Sequence, residues 1–252
     1  MSDIARVVLI TGAASGIGAA IARHLAAPGV SLLLCSRRNQ IGLDAVASYC
    51  ARLGARSATA LADLGERGAG AALVQRARDE FGRVDQIVSN AGFASRAGIG
   101  DAHRADLDRA LDGMVGAFYE MLEHAQSDLA TSTRGAVVAI SSFVAHRFRS
   151  DANFPVTAAA KAAVEALARA AAVQFAPSRV TVNCVAPGYT RKDATGHSAL
   201  NPQAWEKAAA DTPLGRIAEP DDVAALVAFL LGAHARHITG QVIHVDGGLS
   251  LG

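Results

Sequence analysis

Thr11-Gly12-Ala13-Ala14-Ser15-Gly16-Ile17-Gly18 follows the apolar run Val7-Val8-Leu9-Ile10 and leads directly into Ala19-Ala20-Ile21-Ala22. A short β-branched run, a glycine-rich turn and an apolar helical segment form the first half of a βαβ unit, and that unit decides the fold class. Glycine is demanded in such a turn because a side chain would hold the backbone off whatever binds there, or would forbid the dihedrals. The turn aims backbone N–H groups and the positive end of a helix dipole at one point, a geometry suited to a diphosphate.

Working outward, apolar runs alternate with longer Ala-rich segments of helical periodicity. Strands are expected near residues 7–11, 31–36, 57–61, 84–89, 135–141, 179–186 and 241–245, with helices near 16–27, 40–53, 66–81, 105–129, 157–175 and 220–231. The alternation predicts a Rossmann-type α/β fold, a doubly wound seven-stranded parallel sheet forming a single domain over residues 1–252. The least periodic segment, 188–213, follows a strand's carboxyl end and is expected to act as a substrate loop or lid, with Trp205 packing within it.

At the end of the second expected strand, a dinucleotide-binding domain that prefers NAD(H) offers Asp or Glu to the ribose 2′-hydroxyl. Here the residues are Ser36-Arg37-Arg38. A carboxylate would repel a 2′-phosphate, whereas guanidinium groups hold one through charge-assisted, bidentate hydrogen bonds, so NADP(H) is expected over NAD(H).

Composition narrows the remaining classes. The formal net charge of +1 supplies no field to recruit nucleic acid or an acidic membrane. No stretch has the roughly 20 apolar residues that span a bilayer, and the initial apolar run is too short for a signal-peptide core. Cys35, Cys50 and Cys184 show neither a paired nor a metal-ligand spacing. These features lead to the expectation of a cytoplasmic protein with reduced thiols, no metal and a small-molecule partner.

The glycine turn, together with Asn90-Ala91-Gly92, Ser142, Lys161, Pro187-Gly188-Tyr189-Thr190 and Asp246-Gly247-Gly248, resembles the short-chain dehydrogenase/reductase family, in the right order from about Ile4 to Leu249. The resemblance implies a cofactor site at Gly12, Ser15, Gly16, Ile17, Gly18, Ser36, Arg37, Arg38, Asp63, Leu64, Asn90, Ala91, Gly92, Lys161, Pro187, Gly188 and Thr190. It implies catalytic positions at Ser142, Thr157 and Lys161, a carbonyl or secondary-alcohol substrate, and a homotetramer or homodimer in which residues 238–248 form one interface strand.

Two of the family's catalytic positions differ. The expected Tyr-x-x-x-Lys reads Thr157-Ala158-Ala159-Ala160-Lys161, and Gly113 stands where the family has Asn. A phenol with a pKa near 10 is within reach of tuning by one cation. An aliphatic hydroxyl, closer to water's ~15.7, is not, and Thr157 is too short to place its oxygen where a phenol's would be. His146, four residues after Ser142, is one alternative proton donor. Tyr189 is expected chiefly as an aromatic wall. Two readings remain open: an NADP(H)-dependent oxidoreductase with an atypical site, or a non-catalytic NADP(H)-binding sensor or structural subunit.

Overall fold

A computed structural model describes residues 6–149, 153–191 and 202–251, with only the backbone of Pro202. Seven parallel strands, β1 (Arg6–Thr11), β2 (Val30–Ser36), β3 (Arg56–Leu61), β4 (Gln86–Ser89), β5 (Ala136–Ile140), β6 (Thr181–Pro187) and β7 (Val242–Val245), form one sheet in the order β3-β2-β1-β4-β5-β6-β7. All six pairings are parallel: β1, for example, sets Val8 opposite both Leu32 of β2 and Gln86 of β4. The order of the sheet turns back on itself between β1 and β4, so the crevice at the carboxyl ends of those two strands is where such a sheet binds ligands.

The central strands read as continuous apolar runs because helices cover both faces. Side chains alternate across the sheet: Val7 and Leu9 enter one core with α3 (Ala69–Phe81), α5 (Ala117–Thr131) and α6 (Pro155–Phe175). Val8 and Ile10 enter the other, with α1 (Gly16–Leu25), α2 (Gln40–Arg52) and α8 (Pro220–Leu230). A polar residue at either set of positions would be stranded without water.

Boundaries moved where backbone chemistry demanded it. α3 begins at Ala69 rather than near residue 66, because Gly68 takes a left-handed conformation with φ 83°. α6 begins two residues earlier than expected, at Pro155, whose fixed φ and missing N–H suit a first helical turn. The single helix expected over 105–129 is α4 (Arg104–Ala110), a π-helical stretch Leu111–Gly116, and then α5. That wide turn includes both Gly113 and Gly116, which are poor helix formers. The expected lid contains an unforeseen helix, α7 (Pro202–Ala210), which carries Trp205. Residues 192–201 of that segment lie outside the described residues.

Among the described residues, no helix is long and apolar enough to cross a membrane, and no cluster of His, Cys, Asp or Glu has a metal-holding arrangement. All three cysteines are free and buried.

Candidate functional site

The glycine turn closes on itself as its composition requires. Gly12 has φ +66° and Gly16 φ +53°. Gly18 is dictated by space: a Cβ there would fall 2.2 Å from the Gly12 carbonyl oxygen and 2.6 Å from Asn90 Nδ2. The turn is stitched to β4 by Asn90, whose Nδ2 donates to the Thr11 carbonyl at 2.9 Å and the Gly12 carbonyl at 3.1 Å. Thr11 reciprocates, its Oγ1 accepting the backbone N–H groups of Asn90 and Ala91 at 3.0 Å each. Sequence reasoning placed Asn90 in the cleft but missed Thr11; a hydroxyl at the last strand residue before a glycine turn is the signal that could have found it. Ser15 is the N-cap residue of α1, immediately before Gly16 and Ile17 in the first turn.

Beyond this turn opens a cleft of about 660 Å³ whose walls include Gly12, Arg37, Asp63, Leu64, Gly92 and Gly113. Ser36 and Ala91 also line it, as do Phe93 and Arg109, which the sequence did not single out. Arg37 thus faces the cleft from the end of β2, while Arg38 belongs to the turn into α2, its carbonyl accepting the Gln40 N–H at 3.2 Å. Asp63 folds onto its own loop, Oδ1 accepting the Gly65 N–H at 3.1 Å. Gly113 leaves an open notch, since a Cβ there would meet nothing closer than Gly65 N at 3.8 Å.

The positions expected to be catalytic lie just after β5 and on α6. Thr157 and Lys161, four apart on one helical face, are 3% and 7% exposed. Lys161 Nζ donates to the Ile140 carbonyl at 2.6 Å and lies against Gly92, where a Cβ would come within 3.1 Å of it. The ammonium therefore sits at the carboxyl end of the central strands, behind Gly92 of the cleft wall. Burial pulls its pKa down from 10.5 to about 8, against the attraction of nearby acidic groups.

Two serines that the sequence could not separate have different partners. Ser141, buried, donates its hydroxyl to Glu165 of α6. Ser142 opens the 3₁₀ turn Phe143–Ala145, its Oγ accepting the Val144 N–H at 3.4 Å. Thr157 Oγ1 accepts the Ser95 N–H at 2.9 Å, tying the segment after β4 to the start of α6. His146 is engaged elsewhere, with Nε2 2.8 Å from Glu165 Oε1 and its ring edge-on to His244 of β7 at 4.5 Å. The Tyr189 ring lies tilted against Phe143, with centroids 4.7 Å apart, beside the small apolar cluster of Phe143, Val144, Phe154, Ala158 and Leu249.

Beyond β6 two turns meet closely, and the residues of neither are among those that line the cleft. A Cβ on Gly188 would be 2.8 Å from Asp246 Cα, so Pro187-Gly188 can lie against the Asp246-Gly247-Gly248 turn only without a side chain. Asp246 braces that turn by accepting the N–H groups of Gly248 and Ser250, both at 2.9 Å. Thr190 Oγ1 donates to the Gly188 carbonyl at 3.1 Å.

A crevice at the β1–β4 switch point, with a buried lysine on the helix after β5, is the architecture of dinucleotide-binding oxidoreductase folds. Residues 12–250 match the family model described as enoyl-(acyl carrier protein) reductase. The chain is 36% identical over 244 residues to cis-4-hydroxycyclohexanecarboxylate dehydrogenase of Sinomonas cyclohexanicum, covering 96% of each chain. It is 29% identical over 246 residues to the 3-oxoacyl-[acyl-carrier-protein] reductase of Chlamydia muridarum, covering 97% of each. A short-chain dehydrogenase from Burkholderia cenocepacia, solved in complex with NADP, superposes with a TM-score of 0.89 at 31% identity over 99% of both chains. The protein belongs to the short-chain dehydrogenase/reductase family of oxidoreductases.

Proposed function

We propose that this chain is an NADP(H)-dependent oxidoreductase that interconverts a carbonyl compound and its secondary alcohol in a site without the family's phenol. The observation that carries the reading is the Lys161 ammonium, buried against the Ile140 carbonyl and Gly92 at the crevice wall. A buried cation with one carbonyl partner is costly unless a ligand completes its hydrogen bonds. The residues present fit a nicotinamide dinucleotide: the turn that would cradle its diphosphate can close against Asn90 only because Gly12 and Gly18 lack side chains, and Arg37 supplies the cleft with a cation where a ribose-binding carboxylate would otherwise stand.

When bound, the cofactor supplies or accepts a hydride. Lys161 holds its ribose hydroxyls, Arg37 selects the 2′-phosphate, and Ser142 donates a hydrogen bond to the substrate oxygen, favouring the charge that develops there. Thr157 holds the Ser95 segment over the site rather than ionising, and the proton reaches the substrate oxygen from ordered water. Positioning and polarisation alone supply a large share of such a rate enhancement. The relatives named above act on cyclic and acyl carbonyl or alcohol groups, which supports that substrate class.

The test is calorimetry with NADPH and NADH, followed by a screen of carbonyl substrates read as NADPH oxidation. Tighter NADPH binding with turnover is expected. No heat with either nucleotide would refute the reading, and binding without any turnover would replace it with a cofactor-binding protein.

A further inference from the structure

Along the buried face of α6, below Thr157 and Lys161, stands a third polar side chain that the reaction above leaves unused. Glu165 is 4% exposed and one helical turn beyond Lys161, a spacing that sets their Cβ atoms about 5–6 Å apart. Its Oε1 receives the Ser141 hydroxyl hydrogen and faces His146 Nε2 at 2.8 Å. A carboxylate this short of solvent needs hydrogen bonds and an opposite charge. Ser141 supplies one such hydrogen bond and the His146 ring a second polar contact.

Lys161 has the complementary need. The two side chains whose charges act in its favour are Cys184 and Glu165. Burial pushes the Cys184 thiol up to about 12, with the charge of Glu165 adding to the effect, so near neutral pH it carries no negative charge to offer. In a site with a phenol, a phenolate could face the ammonium from above; Thr157 offers only a hydroxyl already bonded to Ser95. The support has to come from below.

We propose that Glu165 is the positioning counter-charge of Lys161: a buried carboxylate, clamped by Ser141 and His146, that keeps the ammonium charged and directed at the cofactor crevice. The inference rests on the reading that Lys161 meets the cofactor. The titratable and charged groups around the pair are Arg169 on α6, Cys184 on β6, His146 after β5, His244 on β7 and Asp246 just after β7. His244 contacts His146, and its Nδ1 is 3.6 Å from Asp246 Oδ2, so those two act at one remove.

The experiment is a ¹³Cε-lysine NMR titration of the full chain without cofactor, feasible because the sequence has only three lysines, Lys161, Lys192 and Lys207. In Glu165→Gln, which keeps side-chain size, the Lys161 midpoint should fall by about one pH unit, the scale of an opposite charge at this range, while that of Lys207 stays put. An unchanged Lys161 midpoint overturns the proposal. Should that variant not fold, Lys161→Met is read at the Glu165 carboxyl carbon, whose midpoint should rise by the same interval because coupling is mutual; no rise overturns it equally. NADPH calorimetry on the same samples separates the two layers of the argument. The alkaline fall-off in affinity should move down with the Lys161 midpoint, whereas a moving midpoint with pH-independent affinity would leave the Glu165 pairing standing and refute the Lys161–cofactor contact.

Discussion

Thr157→Val tests whether the hydroxyl at the phenol's position handles a proton or holds a loop. Valine keeps the branched shape but removes Oγ1, leaving the Ser95 N–H without the acceptor it has at 2.9 Å. Thr157 is buried and Ser95 half-buried, so the loss is that of a single hydrogen bond with limited access to replacement water, about 1 kcal/mol. For a domain of this size that lowers Tm by about 2–4 °C. Removing a group that transfers a proton costs far more rate, typically about 10²–10⁴-fold. Calorimetric melting and steady-state turnover on the same samples divide the two roles. A tether predicts the Tm drop, restored by Thr157→Ser, with kcat reduced by less than about tenfold. An unchanged Tm with kcat down by about a hundredfold or more would refute the reasoning and make Thr157 a proton-transfer group.

Arg37→Ala should weaken NADPH binding by about ten- to a hundredfold, the scale of about 1.5–3 kcal/mol for charge-assisted hydrogen bonds, and leave NADH nearly untouched; isothermal calorimetry on both nucleotides checks it, and an equal loss for both would sink the phosphate assignment. Gly18→Ala drives a Cβ to 2.2 Å from the Gly12 carbonyl oxygen, so NADPH binding should disappear and Tm fall as the turn is forced open; retained affinity would show that the turn is not the diphosphate cradle. Lys161→Met should abolish cofactor binding and remove a pH dependence of Tm that the native protein shows in alkali. The sign follows from linkage: burial lowers the lysine pKa from 10.5 to about 8, so the charged form is penalised in the folded state below about 8, and this penalty fades as pH rises toward 10.5. The Tm of the native protein should therefore gain on that of the variant over that interval, and two Tm profiles running parallel across it would contradict the reasoning.

Much of the fold was legible because its signals are local. The β1–α1 turn is written in eight consecutive residues, and the strands and helices in periodicities of a few residues each, so the parallel sheet followed without tertiary knowledge. The π-helical stretch at Leu111–Gly116 and the helix Pro202–Ala210 were not legible. The first depends on a glycine facing Leu64–Gly65 across the cleft, and the second lies in a segment whose weak periodicity does not distinguish helix from loop. For the candidate site, the resemblance offered Ser142, Thr157 and Lys161, but no signal in the sequence showed the partners they take in the fold.

The amino-acid sequence by itself determined the dinucleotide-type sheet, the glycine turn after β1, the arginine that follows β2, and the threonine four residues before Lys161. Tertiary structure alone decided that Thr157 bonds to Ser95, that Ser141 and not Ser142 serves Glu165, and that Lys161 is pinned to Ile140. The division has a physical cause. Turn dihedrals and periodic burial are imposed by neighbours a few residues away, whereas a buried hydroxyl, ammonium or carboxylate takes whichever partner the packing brings within about 3 Å, and here those partners lie 62, 24 and 21 residues distant along the chain.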